Sequence, residues 1–306
     1  MSSGKQGKKD EFFKPIVLIT VVGLAFSGPL GRLALEEGMS PIGIAFWRLF
    51  MASGLTFIAS MFFKIPRKAY TNITRHDLFF TALAGISLAG HFFFWYTSLM
   101  YTTIFHATVL ACLQPVFAII VGYIIWREKV NKWGVSGIIL AVIGTITMAM
   151  MSMNDPGATI KGDVFAVIMG VFLTFYLIFG RGVRAHTPVL TYTALLYGFC
   201  SLALLIMALV TRTPLLPISG KMLGICLLIV VFTTFMGHTI YNWVLPHVGP
   251  VYITVIMLSE PVGASIVAWF MFGEAPSLLS LVGGVLILLG MGLYTLKLVN
   301  KPQSVG

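Results

Sequence analysis

The sequence predicts an all-α integral membrane protein of ten transmembrane helices, arranged as two inverted five-helix repeats. Three observations carry that prediction. First, 58% of the 306 residues are apolar and only 10% are charged, against about 25% charged in ordinary soluble chains. A soluble core could not hide that much apolar surface behind so little polar surface, so the bilayer is the solvent. Second, the apolar residues fall into ten runs of about 20, the length that spans a membrane. Third, the two halves resemble each other at a fixed offset, and each holds an odd number of runs.

The spans follow in order, each closed by polar residues or by proline and glycine. Residues 1–14 form a lysine-rich polar tail. The first span runs from Pro15 to Leu35 and stops at Glu36-Glu37-Gly38. It is too long for a secretory signal, so it reads as a retained helix. Pro41 opens the second span, to Phe63, and Lys64 to Asp77 form a polar loop. The third runs from Leu78 to Met100. A Tyr101-Thr102-Thr103 link leads to the fourth, ending at Trp126, and Arg127 to Lys132 precede the fifth, ending near Met153. The second half repeats the rhythm: Gly162 to Gly180, Pro188 to Val210, Leu223 to Trp243, Gly249 to Phe272 and Leu278 to Val299. The repeats are therefore 15–153 and 162–299, and 300–306 is a short tail.

Charge placement gives an orientation. With the N-terminus inside, fifteen of the 20 lysines and arginines lie in inner segments, and only Lys161, Arg212 and Lys221 lie in outer ones. That positive-inside bias puts both termini in the cytoplasm of a cell whose plasma membrane holds the chain. It also accounts for most of the net charge of +10 without nucleic acid as a partner.

At an offset of 146 residues, Pro115 falls on Pro261, Glu128 on Glu274, Gly137 on Gly283 and Gly144 on Gly290. Gln114-Pro115-Val116 faces Glu260-Pro261-Val262. Five spans per half force the second half to enter the membrane upside down. Many secondary transporters are built this way, with the solute site near the midplane between repeats.

Several of these pieces resemble the drug/metabolite transporter superfamily, specifically its EamA-type ten-helix permeases. They are Phe46-Trp47-Arg48, Pro115 to Glu128, and Glu260-Pro261-Val262 to Glu274. The resemblance covers Pro15 to Val299. His91-Phe92 with Trp95 and Ser98-Leu99, and Gly237-His238-Thr239 with Asn242-Trp243, resemble one bacterial subgroup. The resemblance implies a transporter of small molecules, often outward, across a bacterial inner membrane. Related permeases carry amino acids, nucleosides, choline-like cations, cofactors or drugs.

Glu260 is the sharpest single feature, a carboxyl midway along the ninth span. A charge there costs several kcal/mol unless paired, hydrated or protonated. Such a group can exchange protons during transport, bind a cationic solute, or bond a neighbouring helix structurally. Arg48 sits two turns into the second span, at a cost of about 2.5–3.5 kcal/mol at full depth. It can bind a solute carboxylate, pair with Glu260, or snorkel to the headgroups; Arg32, nearer its span's end, reads as snorkelling. His91 and Trp95 share a helix face at i, i+4, as do His238 and Asn242. Each pair either lines a cavity or bonds between helices. Pro29, Pro115 and Pro261 should kink their helices and free upstream carbonyls.

Other chemistries find no support. Gly180-Arg181-Gly182-Val183-Arg184-Ala185 matches a dinucleotide pattern but follows a membrane helix, not a strand. All four aspartates lie outside the spans or at their edges. The three cysteines, Cys112, Cys200 and Cys226, sit in apolar runs and read as small hydrophobes. There is no zinc spacing and no Walker sequence, so neither metal, cofactor nor ATP is expected.

The expected function is alternating-access transport of a small metabolite. Glu260 and Arg48 supply opposite charges suited to a zwitterion such as an amino acid. His91, Trp95, Gln114, His238 and Asn242 orient it, and protons are a candidate coupling ion. The competing class is a non-transport membrane protein: a receptor, a lipid-handling protein or a channel. Lipids and the solute are the expected partners, with the chain a monomer or a homodimer.

Overall fold

The structure, a computed structural model, describes residues 16–114, 116, 117, 120, 121, 124, 132–151, 156–184, 186–216, 218–241, 243, 244 and 258–298. Helices dominate, and no strand occurs among the described residues. In chain order they are α1 (Ile16–Glu36), α2 (Pro41–Phe62), α3 (Arg75–Leu99), α4 (Ile104–Ala111), α5 (Lys132–Met151), α6 (Ile160–Arg184), α7 (Val189–Val210), α8 (Gly220–Thr239), α9 (Glu260–Phe272) and α10 (Leu278–Leu298). A single turn at Lys68–Thr71 lies in the polar loop.

Among the described residues, six helices are long and apolar enough to cross a membrane: α1, α2, α3, α6, α7 and α8. The apolar stretches within α5, α9 and α10 are shorter. Large apolar side chains point outward: Phe62 is 80% exposed and Phe270 77%. A water-soluble protein buries such groups; here they face lipid.

Helix ends differ from the expected spans for local reasons. α3 starts at Arg75, three residues early, because Thr74 and Asp77 form a reciprocal capping box. α8 starts at Gly220, where Ser219 accepts from the Met222 amide. Its second half, Val230–Thr239, is wound as a π-helix, a form that re-aims side chains and recurs at functional sites. α6 runs to Arg184, whose guanidinium donates to the Leu177 and Gly180 carbonyls of its own helix.

Two helices are interrupted, and a third opens on a turn. A turn at Phe26 breaks α1, three residues before Pro29. α4 yields after Ala111 to a tight turn at Cys112 and Leu113. α9 begins at Glu260 after a turn at Leu258 and Ser259, with Pro261 in its first turn. Proline suits a first helical turn because its missing N–H has no partner to lose.

Helices five apart in the order pack on one another: α2 on α7, α4 on α9, α5 on α10. The α5–α10 seam is close. A Cβ at Gly144 would lie 2.6 Å from the Gly283 carbonyl oxygen, and one at Gly290 would lie 2.5 Å from that of Gly137. Only glycines allow backbones to meet this closely. α3 also packs on α6 and α7, and α1 on α8 and α9. These contacts enclose the interior.

Candidate functional site

A cavity of about 1040 Å³, part of it open solvent, lies between the interrupted ends of α1, α4 and α9 and the flanks of α3, α6 and α8. α9 starts at Glu260, so this carboxyl stands in the helix's first turn, at the positive end of its dipole. Glu260 lines the cavity, and its carboxyl makes no hydrogen bond or ion pair to another described residue. It opens α9, and residues 249–257 of the expected ninth span lie outside the described residues.

Phe92, Trp95, Tyr176 and Tyr241 bring aromatic rings to the wall. Trp95 is 4% exposed, and its indole Nε1–H has no acceptor among the described residues. An unmet buried donor beside a cavity costs about 1–3 kcal/mol and awaits an acceptor from what enters. Gln114 also lines the cavity, its amide 3.4 Å from the Thr174 hydroxyl.

His91 and His238 both face the cavity, from α3 and α8. His91 Nδ1 lies 3.4 Å from the Met169 carbonyl of α6. Each ring meets Phe92 edge-on, at 4.8 Å for His91 and 5.9 Å for His238. Phe92 is thus the centre of a polar–aromatic knot.

Arg48 is fully buried on the other side of that knot and does not line the cavity. Its guanidinium lies 4.1 Å over the Phe92 ring. Nε donates to the Thr234 hydroxyl at 2.9 Å and Nη1 to the Tyr96 hydroxyl at 3.0 Å, while Nη2 has no partner among the described residues. It neither snorkels nor pairs with Glu260. Asn242 and Pro115 lie outside the described residues.

At the end of the bundle that carries the α1 C-terminus, polar groups close the interior. His106 of α4, fully buried, holds Asp163 of α6 through Nδ1 at 3.1 Å and Ser280 of α10 through Nε2 at 2.9 Å. The Thr102 hydroxyl donates to the same Asp163 carboxylate at 2.7 Å. Beside it, Arg32 pairs with Glu274 at 3.0 Å and donates to the Thr102 carbonyl at 2.6 Å. Glu274 also accepts from the Ile104 amide, capping α4. Gly273 allows this: its left-handed backbone (φ 69°) ends α9 and turns Glu274 inward. Arg32 is therefore an interhelical partner and not a snorkelling chain, and Asp163, expected at an edge, is 4% exposed.

Sequence reasoning missed His106, Thr102, Ser280 and the cavity tyrosines. Lone polar residues in apolar runs carry no sign of partners 57 or 174 positions away. The one available signal was that His106 and Asp163 each lie within a turn or so of a span's start.

Comparison with known proteins follows this geometry. The EamA-like transporter family matches the chain twice, over residues 15–150 and 160–296. A protein of Archaeoglobus fulgidus named an uncharacterized transporter is 22% identical, covering 87% of this chain and 91% of its own. The uncharacterized transporter YxxF of Bacillus subtilis is 23% identical, over 94% and 91%. The WAT1-related protein At5g40210 of Arabidopsis thaliana is 21% identical, over 95% and 89%. A solved crystal structure superposes with a TM-score of 0.64 at 16% identity, covering 95% of this chain and 99% of that one. That likeness speaks to fold alone.

Proposed function

The chain belongs to the EamA-like transporter family, and from that premise we propose that it moves a small amine-bearing metabolite across the cytoplasmic membrane by alternating access. The solute is an amino acid or a similar zwitterionic or cationic molecule, the direction is export, and protons couple to it through Glu260. Both termini face the cytoplasm.

The observation that carries this reading is the cavity, walled by both matched segments and holding, where α9 begins, a carboxyl with no partner among the described residues. Discontinuous helices whose ends meet a midplane site are the device by which transporters bind solutes. Ten spans in two inverted repeats are supported by the packing of helices five apart and by the reciprocal glycine contacts at 144/283 and 290/137. A two-fold axis between the halves carries the 144/283 contact onto the 290/137 one. The polar closure at one end fits one gate of an alternating cycle, since nearly all its bonds join residues of different halves. Glu260 supports coupling because one carboxyl can hold a proton or a cationic solute in turn.

Accessibility tests alternation. In a protein whose Cys112, Cys200 and Cys226 are replaced by alanine, Ser27→Cys puts one thiol in the cavity wall. A membrane-impermeant maleimide should reach it from either face of oriented vesicles. Labelling from one face only would refute alternating access and favour a receptor or lipid-handling role.

A further inference from the structure

The charges around the cavity are unequally presented. Among its described lining residues, Glu260 is the only carboxylic acid, and neither lysine nor arginine is among them. Its carboxyl has no described partner. The rings of Phe92, Trp95, Tyr176 and Tyr241 line the same cavity. Aromatic faces attract cations, and a carboxylate among rings is the chemistry that recognises ammonium groups. A solute carboxylate would find much less. The Arg48 guanidinium lies behind Phe92, with Nε and Nη1 already donating to Thr234 and Tyr96. Of the wall's fully buried polar atoms, the indole N–H of Trp95 alone lacks a partner among the described residues. A single neutral N–H suits a hydroxyl, ether or amide oxygen and is a poor substitute for the water lost by a carboxylate.

We infer that the solute class is an organic monocation: an ammonium or quaternary ammonium group at Glu260, an apolar or ring body among the aromatics, and one neutral oxygen facing Trp95. This deepens the transport reading and rests on it. It narrows the choice between zwitterion and cation to the cation, because the second charge a zwitterion needs is screened from the cavity.

Equilibrium binding of radiolabelled tyramine to the full-length protein in detergent micelles tests it. The competitors share its ring and hydroxyl: N,N,N-trimethyltyramine, tyrosine and 4-hydroxyphenylacetate. Tyramine and its trimethyl derivative should compete at least about tenfold better than tyrosine, the scale of one charge-assisted contact. The anion should not compete. Glu260→Gln should weaken tyramine by about tenfold or more while eluting as wild type in gel filtration. Trp95→Phe should weaken tyramine but hardly affect phenethylamine, which lacks the oxygen. Wild-type discrimination needs no variant, so a misfolded mutant does not blunt the test. Tyrosine binding as well as tyramine, full affinity in Glu260→Gln, or no saturable cation binding would each overturn the inference. If tyrosine is instead carried into proteoliposomes, the transport reading stands without the cation. Cation binding in micelles with no flux of any solute fails the transport reading instead.

Discussion

Alanine at Gly144 or Gly290 should pry apart the α5–α10 seam. Each added Cβ would sit 2.5–2.6 Å from a backbone carbonyl oxygen of the facing helix. Ordinary carbon–oxygen contact begins near 3.4 Å, so the helices must separate by most of an ångström. No flexible side-chain end can yield instead, since the obstructing atoms are backbone. Overpacking of this kind costs about 1–3 kcal/mol, offset by up to about 1 kcal/mol from alanine's better helix propensity. At Gly292 the nearest atom is 3.9 Å away, and at Gly224 nothing lies within 4 Å. Alanine at those control sites should be neutral or stabilising. The two seam contacts are reciprocal, so Gly144→Ala and Gly290→Ala should cost similar amounts. The double variant should cost less than their sum, because the first separation makes room for the second. Thermal melts in detergent, read by a thiol-reactive dye on buried Cys200 and Cys226, suit the measurement. A net cost of about 1–2 kcal/mol lowers Tm by a few degrees in a chain of this length. If both seam variants melt with Gly292→Ala, or if one alone is costly, the close reciprocal packing is wrong.

Three further perturbations follow from named contacts. Asp163→Ala strands the Thr102 hydroxyl and His106 Nδ1 together; it should cost about 2–5 kcal/mol by the same melt, and Ser280→Ala, which leaves the carboxylate in place, about 1 kcal/mol. Glu274→Ala should destabilise more than Arg32→Ala, since Glu274 both pairs with Arg32 and caps α4; their pair is partly exposed and contributes only about 1 kcal/mol, with the cap adding about 1 kcal/mol. Phe92→Ala removes the ring between Arg48 and the cavity; it should cost about 3–5 kcal/mol in stability and raise competition by 4-hydroxyphenylacetate in the binding assay.

Much of the fold was written in simple patterns. Apolar runs with polar stops mark where helices lie, because lipid leaves the backbone no alternative. The repeated glycines were visible as an offset, and their cause, backbone contact at the α5–α10 seam, needed coordinates. Where a helix breaks was harder. Pro261 signals a disturbance near Glu260, but a proline in a first turn and one in mid-helix look alike in sequence. The site was legible as residue types and not as partners. Glu260, His91, Trp95, Gln114 and His238 do meet at one cavity. Arg48 does not join them, because Phe92, on its own helix face, stands between. The His106–Asp163–Ser280 contacts join three helices distant in the chain, and helical periodicity carries nothing about such meetings.

Metabolite pools test the central claim most directly. Cells expressing the wild type, the Glu260→Gln variant or neither protein are compared for solutes in the medium and inside. The account predicts at least one amine-bearing metabolite lowered inside and raised outside by the wild type alone. Equal movement by Glu260→Gln would contradict the role given to this carboxyl, and unchanged pools in all three would contradict transport itself.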